Sequence, residues 1–142
     1  MSETYVPAEL RRLVQQRADR RCEFCLMPET GAFLPHEIDH VIAEKHGGET
    51  SEQNLAWTCA VCNKRKGSDL TSIDPHSGEI VALFHPRQDY WSDHFKLAGA
   101  AIEPLTPTGR FTVRLLQLNH PDRVEERQAL VTAGLIEIPT AQ

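Results

Sequence analysis

The sequence predicts an α+β fold in a single domain, and three observations indicate it. Apolar residues recur at helical spacing near the N-terminus, short β-branched and apolar runs follow, and four cysteines form two Cys-x-x-Cys pairs. A chain of 142 residues is the usual size of one domain. We predict one domain over residues 1–142, with a cysteine-framed core at 20–70 and a β-rich extension at 71–142 that ends in a helix.

The N-terminal segment has the pattern of an amphipathic helix. Pro7 suits a first helical turn, and Leu10, Leu13 and Val14 follow at helical spacing. We predict a helix over residues 7–20 with its apolar side on the core. Its arginines form either a solvated helix face or a local nucleic-acid contact.

The middle of the chain predicts a strand–loop–strand–helix unit. Apolar and β-branched content rises over residues 34–42, which indicates a strand, and residues 43–53 are polar and glycine-rich, as in a loop. Residues 55–58 predict a short second strand. A helix should follow from residue 59 to about residue 69 and stop near Gly67.

The extension predicts mainly strands. A turn at residues 74–78 precedes the first of them, and a turn at residues 106–109 joins the last two. Asn119 is the predicted cap of a final helix that runs through Ala133. The strands are predicted at residues 80–84, 100–104 and 110–118.

The charge of the chain restricts how it could bind nucleic acid. The formal net charge of −5 argues against binding by bulk electrostatics alone. Basic residues are nevertheless local, so nucleic-acid contacts should be confined to two groups. These groups are Arg11, Arg12, Arg17, Arg20 and Arg21, and Lys64, Arg65 and Lys66.

The chain shows no sequence signal for a membrane or for secretion. No apolar run approaches the ~18–20 residues needed to span a bilayer. The N-terminus lacks the basic-then-apolar build of a secretory signal. We therefore expect a cytoplasmic protein, in which cysteines are reduced and paired Cys-x-x-Cys motifs favour metal over disulfides.

The four cysteines are the predicted ligands of a structural zinc ion (Zn2+). A closed shell of four thiolates is typical of structural zinc. The gap between Cys25 and Cys59 exceeds the ~15–20 residues of a simple zinc ribbon, so a substantial insert lies between the two halves. A redox pair is the weaker alternative, because neither motif follows a βα unit. The predicted ligands are Cys22, Cys25, Cys59 and Cys62.

The insert and the following helix carry the residue types needed to hydrolyse a phosphodiester bond. That reaction needs a base to activate water and a cation to neutralise charge on the phosphate and leaving oxygen. His40 can serve as the base near neutral pH. Asp39 and Asn63 offer hard oxygen ligands suited to Mg2+ or Mn2+.

These residues lie within a longer pattern that resembles the HNH endonuclease family, also called ββα-metal or His-Me finger nucleases. The resemblance covers roughly residues 20–70 and implies a ββα-metal core. The matching motifs are Glu37-Ile38-Asp39-His40-Val41-Ile42, Gly47-Gly48, Asn54-Leu55 and Cys59-x-x-Cys62-Asn63-x-x-Lys66-Gly67. The segments LFHPRQDYWSDHF and LTPTGRFTVRLLQLN are similar to the C-terminal part of HNH proteins of similar length.

The resemblance implies a role for each motif residue. His40 would be the general base, and Asp39 and Asn63 would hold the catalytic metal. Many members of the family have histidine where this chain has Asn63, which leaves the metal preference open. Asn54 would hydrogen-bond within the loop and hold the strand of His40 in place.

The resemblance also implies that Lys66, and less directly Arg65, contact phosphate, with Glu37 in the surroundings of the metal. Two further histidines, His36 and His46, flank the motif and are expected to face solvent. His85 and His94 lie in an aromatic-rich segment and are expected to pack in the core.

The strand that carries Asp39 and His40 raises a geometric requirement. Adjacent residues of a regular strand point to opposite faces. Their side chains can converge on one phosphate only if the strand twists, bulges or ends there. We therefore expect an irregularity at Asp39-His40.

The pattern as a whole favours a metal-dependent endonuclease that hydrolyses DNA. The alternative is a zinc-stabilised nucleic-acid-binding module without turnover, which the negative net charge mildly favours. A third reading, a redox protein that uses its Cys-x-x-Cys pairs, predicts facile thiol oxidation. The sequence does not define the oligomeric state, although cutting both strands with one site per chain would make a homodimer convenient.

Overall fold

The computed structural model describes residues 5–139. This part of the chain contains five α-helices, two short 3-10 helices and three separate two-stranded antiparallel sheets. The α-helices are α1 (Ala8–Arg17), α2 (Ala60–Lys66), α3 (Trp91–His94), α4 (Pro107–Leu116) and α5 (Pro121–Thr132). The strands are β1 (Glu37–His40), β2 (Leu55–Thr58), β3 (Thr71–Ile73), β4 (Ile80–Ala82), β5 (Phe95–Ala98) and β6 (Ala101–Pro104). The predicted α+β class is confirmed.

Helix α1 packs on the β1–β2 sheet and ends earlier than predicted. Val14 is fully buried and clusters with Leu55 and Trp57 of β2. The helix stops at Arg17 rather than at residue 20, because Asp19 and Arg20 adopt positive φ angles of 52° and 57°. Left-handed backbone ends a right-handed helix and turns the chain toward Cys22.

The predicted strand–loop–strand–helix unit is present with tighter bounds. Strand β1 occupies four residues instead of the predicted 34–42, and it pairs with β2 from Glu37↔Thr58 to His40↔Leu55. Helix α2 follows β2 directly. Cys59 is its N-cap, and Gly67 ends it with a φ of 54°.

The extension differs from its predicted β-rich character, because residues 110–116 of the predicted strand 110–118 lie in helix α4. The Oγ1 of Thr106 accepts a hydrogen bond of 3.0 Å from the Gly109 amide, and Pro107 occupies the first turn of α4. The predicted turn at residues 106–109 is therefore a helix start. Phe111, Thr112 and Leu116 are buried, which is the spacing of a helix face. More residues of the extension lie in helices than in strands.

The final helix is confirmed, but its predicted cap is wrong. His120 caps α5 by accepting a 3.1 Å hydrogen bond at Nδ1 from the Asp122 amide. The side chain of Asn119 instead bonds both the amide and the carbonyl of Ile102 in β6, at 2.8 and 2.7 Å. Asn119 thus joins the chain before α5 to the β5–β6 sheet.

One hydrophobic cluster joins the cysteine-framed segment to the extension. Phe24 contacts Phe84 edge-to-face, and Phe84 contacts Phe95 in the same way. The indole nitrogen of Trp91 donates to the Phe24 carbonyl at 3.0 Å. The other buried members are Cys22, Cys25, Leu26, Met27, Cys59, Cys62, Ile102, Leu116 and Leu118. The cysteines therefore lie within this core, and no helix in residues 5–139 is long and apolar enough to cross a membrane.

Candidate metal centre and candidate active site

The four cysteines form one buried cluster that fits a zinc ion. All four sulfurs lie within 4.8 Å of one another, and those of Cys25 and Cys59 are 3.6 Å apart. A tetrahedral zinc tetrathiolate with ~2.3 Å bonds places its sulfurs about 3.8 Å apart. Among the described residues, this is the only group of three or more histidine, cysteine or acidic side chains arranged to hold a metal. The predicted structural site is supported in its ligands and their spacing.

Backbone amides orient the two Cys-x-x-Cys pairs in the same way. The Cys25 amide points at the Cys22 sulfur at 3.5 Å, and the Cys62 amide points at the Cys59 sulfur at 3.4 Å. Hydrogen bonds from Cys22, Cys25 and Cys62 lower the pKa of the Cys59 thiol, because they stabilise its thiolate. Burial raises the pKa of Cys22, and hydrogen bonds among the cysteines raise that of Cys62, so the metal-free cluster favours one thiolate over another. Thiolate is the form that binds zinc.

A buried arginine from the other end of the chain completes this cluster. Nη2 of Arg123 in α5 lies 3.0 Å from the Cys25 sulfur and 3.3 Å from the Cys59 sulfur. Sequence reasoning missed Arg123 because about sixty residues separate it from Cys59 and no motif includes it. The one available signal is its pairing with Arg127 at i,i+4, on a helix face that is otherwise apolar at Leu130.

Asp39 of β1 faces helix α2 and pairs with Lys66. The ammonium of Lys66 lies 3.1 Å from Oδ2 and 3.3 Å from Oδ1 of Asp39, and 3.3 Å from the His40 carbonyl. Lys66 is fully buried and Asp39 is 5% exposed. Burial raises the pKa of the Asp39 carboxyl to about 6, although Lys66 opposes the shift. Both oxygens of this buried carboxylate therefore already face the Lys66 ammonium, and a divalent cation at Asp39 would have to bind beside it.

Asn63 lies on the same face of the unit, one helical turn before Lys66. Its Nδ2 donates to Oε1 of Glu37 at 2.5 Å. Glu37 and Asp39 are two residues apart on β1 and share the face that α2 covers. The structure therefore brings Asn63 beside Glu37 and Lys66 beside Asp39. These oxygen donors are of the type that Mg2+ or Mn2+ prefers.

The side chain of His40 contacts the loop rather than α2. Its Nε2 lies 2.9 Å from Oγ1 of Thr50. The pairing of β1 with β2 is regular through His40, so the predicted irregularity is not a bulge. The strand instead ends at His40, which is the third of the three expected forms of irregularity. Asp39 and His40 thus have different partners: Lys66 for the carboxylate and Thr50 for the imidazole.

Asn54 brackets the chain just after His40. Its Oδ1 accepts from the Ile42 amide at 2.9 Å, and its Nδ2 donates to the carbonyls of Ile42 at 2.9 Å and Glu49 at 2.8 Å. The loop also requires glycine at position 48. A Cβ there would lie 1.7 Å from the Ile42 carbonyl oxygen and 2.8 Å from Nδ2 of Asn54. The end of β1 is therefore held from two sides.

The two residues predicted to contact phosphate both have partners inside the molecule. The Lys66 ammonium is buried against Asp39. Nη1 of Arg65 donates to the carbonyls of Leu116 at 3.1 Å and Gln117 at 3.4 Å, and so caps the C-terminus of α4. Lys64 on the same helix is exposed.

His36 has a structural position, and its expected solvent exposure is wrong. It is 3% exposed, its Nε2 lies 2.8 Å from the Met27 carbonyl, and its ring lies 6.4 Å from that of Trp57. Met27 lies two residues after Cys25, the second cysteine of the first pair. His36 therefore ties the start of β1 to this pair, a role that no sequence signal indicated.

Comparison with known protein families identifies the segment that contains this geometry. Residues 22–69 match the family model described as HNH endonuclease. The match starts at the first cysteine, ends just beyond α2 and covers less than half of the chain. The predicted resemblance is confirmed over this segment, and the match indicates a nuclease or another nucleic-acid-related function. Comparisons with curated proteins and with solved structures found no match.

Proposed function

We propose that this protein is a metal-dependent endonuclease that hydrolyses DNA phosphodiester bonds. The observation that carries the proposal is the HNH match over residues 22–69, within which α2 covers a row of oxygen donors on β1. We further propose that β1, β2 and α2 are the ββα-metal core of the family. The cysteine cluster would staple this core with zinc.

The chemistry divides among the residues around the end of β1. His40 takes a proton from the attacking water through its imidazole. Thr50 orients that ring, and Asn54 fixes the backbone that follows it. Asp39 and Asn63 would hold a divalent cation, which supplies charge neutralisation at the phosphate and the leaving oxygen. Lys66 holds the Asp39 carboxylate in place through its ion pair.

The proposed phosphate contacts include Lys64 in addition to the two residues that the sequence predicts. Lys66 and Arg65 remain candidates, but the contacts that they already make bind them to Asp39 and to α4. Lys64 is exposed on the same helix and carries its charge to solvent. Lys64 is therefore the first cation of α2 that a DNA backbone would meet.

The test is cleavage of supercoiled plasmid DNA with Mg2+ or Mn2+. His40→Ala should lose at least a hundredfold in rate, because general-base catalysis contributes about 10²–10⁴. His46→Ala is the matched control, since His46 is an exposed histidine between β1 and β2, and this variant should cleave like the wild type. Equal cleavage by His40→Ala and wild type would refute the proposed mechanism.

The second candidate is a zinc-stabilised nucleic-acid-binding module without turnover. One observation favours it: Lys66 already neutralises Asp39, the proposed metal ligand. Titration with Mn2+ separates the two functions. A nuclease should bind Mn2+ at a site that Asp39→Asn weakens while zinc content stays the same, whereas a binding module should show DNA binding without this Mn2+ site.

A further inference from the structure

Helix α5 places two buried guanidinium groups beside the cysteine cluster. Arg123 is 7% exposed and Arg127 is 2% exposed. Arg127 donates to the backbone carbonyls of Cys25, Ala100 and Leu118 at 3.4, 2.7 and 2.8 Å. Because arginine keeps its charge in proteins, two positive charges lie inside the core.

The contacts of Arg123 are of a different kind. One nitrogen, Nη2, reaches sulfurs from both Cys-x-x-Cys pairs, those of Cys25 and Cys59. The other terminal nitrogen of the guanidinium, Nη1, lies 3.4 Å from Oε1 of Glu126, whose side chain is half exposed. The buried end of the guanidinium is therefore directed at the metal ligands.

The charges of the two guanidinium groups balance the charge of the cysteine cluster once it binds zinc. Four thiolates and one Zn2+ carry a net charge of −2, and burying that charge is costly without a partner. Arg123 and Arg127 together supply +2 from one helix face. An N–H···S bond to a charged sulfur is charge-assisted, and such bonds are stronger than those between neutral groups.

We propose that Arg123 is a positioning residue of the zinc centre and that it makes helix α5 part of the metal site. It holds the Cys25 and Cys59 thiolates by N–H···S hydrogen bonds, which lowers their basicity and slows zinc loss. Outer partners of metal ligands typically change metal affinity by about 10–100-fold. Zinc loading and the docking of α5 are therefore coupled, although α5 lies outside the segment that matches the HNH family.

The test uses the full chain with Arg123→Met, which keeps the length of the side chain and removes its donors. Zinc release to a chromogenic chelator should be at least tenfold faster than in the wild type. In the Co2+-substituted protein, the sulfur-to-cobalt charge-transfer bands should shift to lower energy, because sulfurs without N–H donors hold their electrons less tightly. Arg123→Lys keeps a charged donor, so its zinc release rate and its charge-transfer bands should lie between those of Arg123→Met and the wild type.

The matched control is Arg114→Met, which removes an exposed arginine of α4 and the same formal charge. It should release zinc and absorb light like the wild type. Arg127→Met should lower stability, because it loses three carbonyl contacts, but should leave the charge-transfer bands in place. Unchanged bands and an unchanged release rate in Arg123→Met would overturn the proposal.

A measurement on the unmutated protein covers the case in which Arg123→Met does not fold. In the 113Cd-substituted protein with 15N-labelled arginine, a guanidinium proton should show scalar coupling to cadmium through the sulfur. A four-thiolate cadmium signal without any arginine coupling would contradict the proposed hydrogen bonds.

Discussion

At the scale of single residues, Asp39 carries the most informative titration. Burial raises the pKa of its carboxyl from 3.8 to about 6. Between these values the unfolded chain is ionised while the folded chain keeps its proton. The contribution of Asp39 to stability is thus fully present below pH 3.8 and is lost as pH rises through about 6.

This titration predicts a difference between the wild type and Asp39→Asn in metal-free buffer. As pH rises from 4 to 7, the free energy of unfolding of the wild type should fall relative to the variant by about 2–3 kcal/mol. Denaturant unfolding of both zinc-loaded proteins across this range measures it, and effects of acid on the zinc centre cancel in the difference. A difference that does not change with pH would contradict the raised pKa.

Asn54 gives a second prediction at this scale. Asn54→Ala removes three hydrogen bonds that bracket the end of β1. It should destabilise the protein by about 2–4 kcal/mol and lower cleavage, since about 1 kcal/mol is lost per bond. Gln53→Ala, at an exposed neighbouring position, is the control and should change neither property. Full activity and stability in Asn54→Ala would exclude its positioning role.

At the scale of elements, local signals identified some segments well. The two strands of the first sheet and the helix after Cys59 were predicted because turn residues and cysteines bound them on both sides. The segment at residues 110–118 is predicted as a strand although most of it is helical, since Phe111, Val113 and Leu115 alternate as in a strand. The cap at Thr106 and the burial of Leu116 favour a helix here. The burial of Leu116 depends on tertiary packing, which the local sequence does not show.

The cap of α4 provides the element-scale prediction. Thr106→Ala removes the hydroxyl that accepts the Gly109 amide and also lies 2.6 Å from Nδ1 of His94. The loss should cost about 1–2 kcal/mol of unfolding free energy, measured by denaturant titration. Thr106→Ser keeps the hydroxyl and should cost less than half as much. Equal losses in the two variants would show that the methyl group, not the cap, matters.

Dependence on tertiary packing also explains which features of the candidate site the sequence does not predict. Motif spacing predicts the cysteines, Asp39, His40, Asn54 and Asn63 as candidate site residues, because each belongs to a local pattern. It did not show that Lys66 and Arg65 turn inward, since both directions agree with their spacing. Nor could it identify Arg123, whose partners are distant in the chain.

At the scale of the whole molecule, the cysteine cluster connects the segment that matches the HNH family to the extension. The cysteines share one hydrophobic cluster with Phe84, Trp91 and Phe95. Because structural zinc and folding are coupled, removing the metal should disrupt packing well beyond the cysteines. The division into a core at 20–70 and an extension at 71–142 stays a prediction about sequence, since these side chains pack together.

Zinc removal tests this coupling. A strong chelator should abolish the near-ultraviolet circular dichroism of Trp57 and Trp91, and added zinc should restore it. Cys22→Ser should give the same loss without a chelator, because one ligand of the closed shell is missing. A melting curve of Cys22→Ser that matches the wild type would mean that the cysteines do not staple the fold.

The proposed nuclease activity depends on hydrolysis at the end of β1. The decisive measurement is the rate of plasmid nicking by the zinc-loaded wild type and by His40→Ala, with Mg2+, with Mn2+ and with a chelator that leaves the zinc in place. We expect the wild type to cut only with added Mg2+ or Mn2+ and His40→Ala to cut at least a hundredfold more slowly. Cutting that needs neither the added metal nor His40 would contradict the proposed mechanism.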